Sequence, residues 1–214
     1  MCIRDRKYLS RQGIYDLDII VGSHNHSDHI GGFPDLLDDI EVGRAYISPN
    51  LTGKYTCEKF LENLDKYEVE TFTPAAGETF ELGEAQCQFL ADGAGFEDVN
   101  NSSLVLKVTY KDVSVLFTGD IEREAENKLL DSGFDPKCDI LKVAHHGSST
   151  SSTKKFLAAA DPDIAVISCG TDNDYGHPHK ETLSKLKDTA VYRTDLLGDI
   201  VFVSDGYGFE YLED

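Results

Sequence analysis

The sequence predicts an α/β fold in which helices cover β-sheets. Three observations carry that expectation. Short runs rich in β-branched and aromatic residues alternate with amphipathic segments of helical period. Four of the strand-like runs lead directly into loops dense in histidine, aspartate, serine and glycine. The 214 residues, 40% hydrophobic and 28% charged, are enough to bury a core without disulfides. The cysteines (Cys2, Cys57, Cys87, Cys138 and Cys169) number five and form no CxxC pair, which argues against a disulfide framework and a cysteine-based zinc knuckle. No apolar run approaches the roughly 20 residues of a membrane helix. The charged N-terminus lacks the apolar stretch of a signal peptide.

The elements follow in order. Residues 18–21 (DIIV) read as a buried strand, being short, apolar and β-branched. A helix is expected over 29–40, with Pro34 near its start, where a missing N–H costs nothing. Residues 45–48 form a strand. Residues 55–67 place Phe60, Leu61 and Leu64 at helical spacing among acidic positions, as an amphipathic helix does. Residues 68–72, 79–82 and 85–91 are strand-like pieces punctuated by Gly77, Gly83 and Gly93. Residues 103–110 and 113–117 are two strands joined by a Lys111-Asp112 turn. A helix over 121–131 stops near Gly133. Strand 139–143, helix 153–160, strand 164–168, helix 180–188 and strand 191–194 then alternate. Strands 200–204 and 208–211 close the chain.

The formal net charge is −19, and a default nucleic-acid binder is basic, so composition alone counts against one. The distribution weakens that objection. Residues 33–100 hold four basic and fifteen acidic side chains, whereas residues 136–193 hold eight and seven. A solvated, solubility-promoting surface accounts for the acidic stretch. The nearly neutral stretch is free to surround an anionic substrate.

The strongest chemical signal is the segment from Ser23 to Gly32 (SHNHSDHIGG). His24, His26, Asp28 and His29 fall within six residues directly after a buried strand. Neutral imidazole and ionised carboxylate are the donors that Zn²⁺ or Mn²⁺ takes. The second signal is Thr118-Gly119-Asp120 at the end of a strand. That tripeptide alone is commonly a turn or cap, but beside a histidine cluster Asp120 is placed to bridge two metal ions. The third is Lys142 to Ser149 (KVAHHGSS), where His145 would complete a metal site and His146 would support it or touch substrate. The Ser/Thr run 148–153 reads as a turn and helix cap, or, with Ser148 and Ser149, as a phosphate cradle. The fourth is Gly170 to His179 (GTDNDYGHPH), where His177 is a candidate proton donor or phosphate ligand. In a layered α/β fold, loops that all follow strands converge on one edge.

HNHSDHIGG, LFTGD and a later metal histidine resemble the metallo-β-lactamase superfamily. KVAHHGSSTSS, the ISCG…NDYGHPH stretch and the closing RTDLLGDI resemble the C-terminal hydrolase domain of the ComEC/Rec2 DNA-uptake proteins and their stand-alone relatives. The resemblance spans roughly residues 8–205. It implies a four-layer αββα sandwich, two divalent metal ions (Zn or Mn), and hydrolysis of phosphodiesters in DNA by a metal-bound hydroxide. By position, it implies that His24 and His26 hold one ion, that Asp28, His29 and His145 hold the other, and that Asp120 bridges them. Asp28, His146 and His177 are the implied catalytic residues. Asn101, Ser148, Ser149, Asn173 and His179 are the implied substrate-binding residues.

Two departures qualify the resemblance. No histidine lies between His29 and His145, where many superfamily hydrolases place another ligand. Asn100, Asn101 or water would fill in, which favours a harder ion such as Mn²⁺. Only about twenty residues precede His24, where relatives carry further strands. Residues 1–6 (MCIRDR) read as a non-native extension resembling translated adapter sequence. The expected organisation is therefore an extension over 1–6 and an N-terminally truncated hydrolase domain over 7–214. The competing readings are a hydrolase of a small ester, lactone or cyclic nucleotide on the same fold, and an inactive fragment. A stand-alone chain would be cytoplasmic, and a parent protein carrying membrane segments would be membrane-associated.

Overall fold

In the computed structural model, which describes residues 3–51, 53 and 55–212, the chain divides into two compact units. Met1 and Cys2 of the expected extension lie outside the described residues. The first unit comprises Met1–Ala75 and Asp92–Leu104. It runs α1 (Ile3–Arg11), β1 (Asp16–Gly22), α2 (Ser27–Ile30), α3 (Phe33–Leu37), β2 (Glu41–Ile47), α4 (Tyr55–Lys66) and β3 (Glu70–Phe72). The strands form a parallel sheet in the order β1-β2-β3. Ile20 and Ala45 on the strands are buried with Ile30, Phe33, Leu37, Cys57, Phe60 and Leu64 of the helices in one core cluster. The Phe33 and Phe60 rings stack with centroids 4.9 Å apart. Full burial of side chains of this size stabilises by about 1.5–3 kcal/mol each.

The helix expected over 29–40 is two helices, α2 and α3, parted at Gly31-Gly32. The turn there is tight enough that a Cβ on Gly31 would lie 2.3 Å from the Ser27 carbonyl oxygen. Pro34 then occupies the first turn of α3, as its missing N–H allows. Strand β2 begins at Glu41 rather than at 45. Its first four residues are exposed or half-buried and only Val42 among them is apolar, and pairing with β1 fixes them.

The second unit comprises Ala76–Ala91 and Val105–Asp214. It runs β4 (Thr79–Leu82), β5 (Ala85–Ala91), β6 (Val105–Tyr110), β7 (Val113–Phe117), α5 (Arg123–Asp131), β8 (Ile140–Lys142), a 3₁₀ turn (Ala144–Gly147), α6 (Lys154–Ala160), β9 (Ile164–Ile167), α7 (Lys180–Lys185), β10 (Ala190–Arg193), α8 (Thr194–Leu197), β11 (Val201–Ser204) and β12 (Phe209–Leu212). Strands β4 to β10 form one sheet in the order β10-β9-β8-β7-β6-β5-β4. Pairing is antiparallel from β4 to β7 and parallel from β7 to β10. Phe89, Leu116, Leu141, Phe156 and Ile167 are fully buried in this unit. β11 and β12 make a separate antiparallel pair whose Phe202 and Tyr211 pack against Tyr192. The single-turn α8 was not expected, since Leu196 and Leu197 are exposed and set up no helical period.

Because β7, β8 and β9 are adjacent and parallel, the loops that follow them leave from one edge of the sheet. Three of the four histidine- and aspartate-rich loops are these. Cys57, Cys87 and Cys138 are buried, and among the described cysteines these and Cys169 are free thiols.

Candidate metal centre

In the first unit β1 delivers Ser23 to His29. His24 is fully buried. Its Nδ1 meets the Ser23 hydroxyl at 3.2 Å and the Ser103 hydroxyl at 3.1 Å, and its Nε2 lies 3.1 Å from His26 Nδ1. The His29 ring sits 4.1 Å from that of His24, its Nδ1 is 3.2 Å from Ser23 Oγ, and its Nε2 is 3.7 Å from the Asp28 carboxylate. Three imidazoles at such spacing repel one another when protonated. Neutral, they gather ring nitrogens of the kind a divalent cation binds. The serine hydroxyls on His24 Nδ1 orient that ring in the way that outer partners orient ligating histidines. Asn101 is buried nearby in sequence, its backbone N–H on the Asp98 carboxylate.

In the second unit β7 delivers Asp120, which is 2% exposed. Lys142 Nζ lies 3.9 Å from its Oδ1 and donates to the Gly119 carbonyl at 3.1 Å. His146 Nε2 lies 3.4 Å from Asp120 Oδ2. The other nitrogen of His146, Nδ1, donates to the Ser168 carbonyl at 2.7 Å. A carbonyl only accepts, so Nδ1 carries a proton, which leaves Nε2 as the ring nitrogen that faces the carboxylate. His145, by contrast, turns to Glu122 at 3.2 Å and to the Thr150 hydroxyl at 3.4 Å. Both histidines hold left-handed backbone (φ 49° and 53°), a conformation costing L-residues about 1–2 kcal/mol apiece. Gly147 follows at φ 84°, and a Cβ there would meet Pro178 Cβ at 2.6 Å.

The loops after β8 and β9 lock onto each other. His179 Nδ1 accepts the Ser149 N–H at 2.9 Å while its Nε2 donates to the Tyr175 carbonyl at 3.2 Å. Asn173 clamps its own loop, donating to the Gly170 and His177 carbonyls and accepting the His177 N–H. Ser148 is buried, its hydroxyl 3.0 Å from that of Thr150, whereas Ser149 is exposed. His177 lies among the rings of His145, His146, Tyr175 and His179. Burial, then the charges of His145, His179 and His146, pull its pKa down to about 4, so it is neutral at pH 7.

Beneath these loops Glu126 is fully buried on α5. Its carboxylate accepts the Ser152 N–H at 2.5 Å and the Thr153 N–H at 2.9 Å, and Lys185 donates to the Ser151 and Ser152 carbonyls. Burial pushes the Glu126 carboxyl up and the Lys185 amine down. Thr153 caps α6 through its side chain.

Sequence reasoning assigned no function to Ser23, Ser103, Glu122, Lys142 or Glu126. Only Lys142, a lysine in an otherwise apolar strand, carried a signal that could have singled it out.

A family model described as the metallo-beta-lactamase superfamily matches residues 2–171, and the chain belongs to that superfamily. The fold class expected from the sequence is borne out. The chain is 33% identical over 198 residues to ComE operon protein 3 of Bacillus subtilis (strain 168), covering 91% of this chain and 26% of that protein. It is 31% identical over 199 residues to competence protein ComA of Neisseria gonorrhoeae, with the same 91% and 26% coverage. The chain thus spans about a quarter of the length of the curated relatives it matches. The expected resemblance to ComEC/Rec2 proteins agrees with these relatives. Among solved structures, Tm1679, titled a metal-dependent hydrolase of the beta-lactamase superfamily, has a TM-score of 0.56 at 17% identity, covering 87% of this chain and 80% of that one. Among the described residues no helix is long and apolar enough to cross a membrane.

Proposed function

We propose that the chain is a two-metal phosphodiesterase that hydrolyses DNA. The observation that carries this reading is the His146–Asp120 pair, in which a tethered imidazole holds its Nε2 3.4 Å from a buried carboxylate. A cation between them would take the Nε2 and the carboxylate as ligands. The donor chemistry of the first unit, three imidazoles and the Asp28 carboxylate, fits the same kind of ion. The proposed ligands are His24 and His26 for one Zn²⁺ or Mn²⁺, Asp28 and His29 for the other, and Asp120 for both. His146 is preferred to His145 as the remaining ligand, because Glu122 and Thr150 already engage His145. When bound, such ions activate water and hold charge that develops on phosphoryl oxygens.

The protein's own groups do the rest. Ser23, Ser103 and the Ser168 carbonyl keep the imidazoles oriented, and neutral His177 would offer a hydrogen bond to a leaving oxygen. His179 and Asn173 hold the loops that would meet substrate. One finding supports DNA as that substrate, and a second removes an objection to it. The matched relatives include proteins named for competence, and the stretch 136–193, nearly neutral in an otherwise acidic chain, adds no repulsion of a polyanion. The net charge of −19 favours the second reading, a small ester, lactone or cyclic nucleotide as substrate. Within a longer protein of the competence type the domain would be membrane-associated, and alone it would be cytoplasmic.

The test is cleavage of single-stranded DNA and of bis-p-nitrophenyl phosphate with Zn²⁺ or Mn²⁺ present. Asp120→Ala and His26→Ala are expected to abolish both activities. Undiminished turnover in either variant would sink the site. Saturable hydrolysis of a small ester with none of DNA would move the substrate to the second class.

A further inference from the structure

Tyr175 stands at the open end of a stack of nearly parallel rings. Its ring lies 5.7 Å from that of His177 at an interplanar angle of 21°, and His177 lies 6.3 Å from His146 at 23°. His146 reaches Asp120. The stack therefore runs from the proposed hydrolytic carboxylate outward to a tyrosine that is 78% exposed. That ring stacks with His177 and is otherwise largely open to solvent.

An exposed aromatic on a loop ordinarily moves with the loop, but here the backbone on both sides is pinned. The Tyr175 carbonyl accepts the His179 Nε2 proton, and Asn173 fastens Gly170 and His177 on either side. An exposed aromatic ring on a pinned backbone, at the end of a ring stack that leads to the proposed reacting centre, is the form of a stacking platform. The proposed chemistry uses His146 and His177 and leaves Tyr175 unemployed. The charge pattern points the same way. Residues 136–193 are nearly neutral, so they offer little of the phosphate attraction on which most nucleic-acid binders depend. Stacking supplies a hold that needs no basic groove and tolerates any base.

We propose that Tyr175 is a base-stacking residue that takes the nucleobase adjoining the scissile phosphodiester of single-stranded DNA. The proposal rests on the phosphodiesterase reading above. It favours single strands because a base inside a duplex has both faces covered by its stacked neighbours. It asks for the ring and not the phenol, so other aromatic side chains serve equally.

The experiment measures, with the full chain, the binding and cleavage of a short oligothymidylate carrying 2-aminopurine and of an equally long strand that is abasic throughout. Tyr175→Ala is expected to raise Kd and KM for the base-bearing strand roughly 5- to 150-fold, with kcat nearly unchanged. Its behaviour on the abasic strand should match the parent, and Tyr175→Phe and Tyr175→Trp should bind as the parent does. In the parent, binding should quench 2-aminopurine fluorescence, and in Tyr175→Ala it should not. Equal affinity in Tyr175→Ala, an equal loss on both strands, a loss in Tyr175→Phe, or a parent chain that binds no single strand would each overturn the proposal. A parent chain that binds the base-bearing strand through Tyr175 but cleaves neither strand would remove the phosphodiesterase reading and leave the stacking in place.

Discussion

Removing the Glu126 carboxylate should loosen the loop that carries His145 and His146. Glu126 is fully buried and accepts two backbone N–H groups, from Ser152 and Thr153, with Lys185 tying the neighbouring carbonyls. Hydrogen bonds to a charged group contribute about 1.5–3 kcal/mol each, so the two represent about 3–6 kcal/mol. Against that stands the cost of keeping the carboxylate out of water, the same burial that pushes its pKa up. Breaking such a buried arrangement from one side costs about 3–5 kcal/mol. Glu126→Ala is therefore expected to lose about 3–5 kcal/mol in urea denaturation and roughly 6–20 °C in Tm for a chain of this size. Glu126→Gln keeps one acceptor oxygen and should lose about half as much. The damage should be local as well. Ser152, His145 and His146 hold left-handed backbone with φ of 53°, 49° and 53°, and without Glu126 the strain at Ser152 has less to oppose it. Amide hydrogen exchange at Ser152 and Thr153 should rise by orders of magnitude before the rest of α6 responds. A loss under about 1 kcal/mol with unchanged exchange at those amides would refute the reasoning.

Two further outcomes are expected. Asp195 is paired with Arg193 through two hydrogen bonds, and that guanidinium holds its carboxyl below the usual carboxylate range. A carboxyl with a lowered folded-state pKa adds stability above its ordinary value near 3.9 and loses it as pH falls through the folded value. The deficit of Asp195→Asn should thus be largest near pH 7 and shrink below about pH 4, and a deficit independent of pH would contradict the pairing. Gly147→Ala puts a Cβ 2.6 Å from Pro178 Cβ at φ 84°. It should cost about 2 kcal/mol or more and lower kcat/KM by displacing His146, and parental stability and activity would count against that geometry.

Several features were legible in the residues alone. The run DIIV, the amphipathic stretch around Phe60 and Leu64, and the pair of strands about Lys111-Asp112 appear where their patterns put them, since each has a clear period and a turn residue beside it. Spacing within six residues marked His24, His26, Asp28 and His29. The break at Gly31-Gly32 was less legible, because two glycines inside a helical pattern are read as tolerated until the approach to the Ser27 carbonyl is known. The exposed start of β2 owes its shape to pairing with β1. The partners of the histidines were hidden for a different reason. Ser103 reaches His24 from 79 residues away, and the Ser168 carbonyl reaches His146 from 22. No local period encodes a contact made through the fold. The consecutive histidines are the sharpest case. Sequence order alone does not separate His145 from His146, and left-handed backbone at both positions turns one to Glu122 and the other to Asp120.

Metal content tests the central claim most directly. The chain, stripped with a chelator and reloaded with Zn²⁺ or Mn²⁺, should retain about two ions per molecule by mass spectrometry of the elements, as a two-metal hydrolase requires. Asp120→Ala, with its chain still folded, should retain about one or fewer. A parent chain that holds fewer than one ion, or an Asp120→Ala variant that holds as many as the parent, would contradict the account.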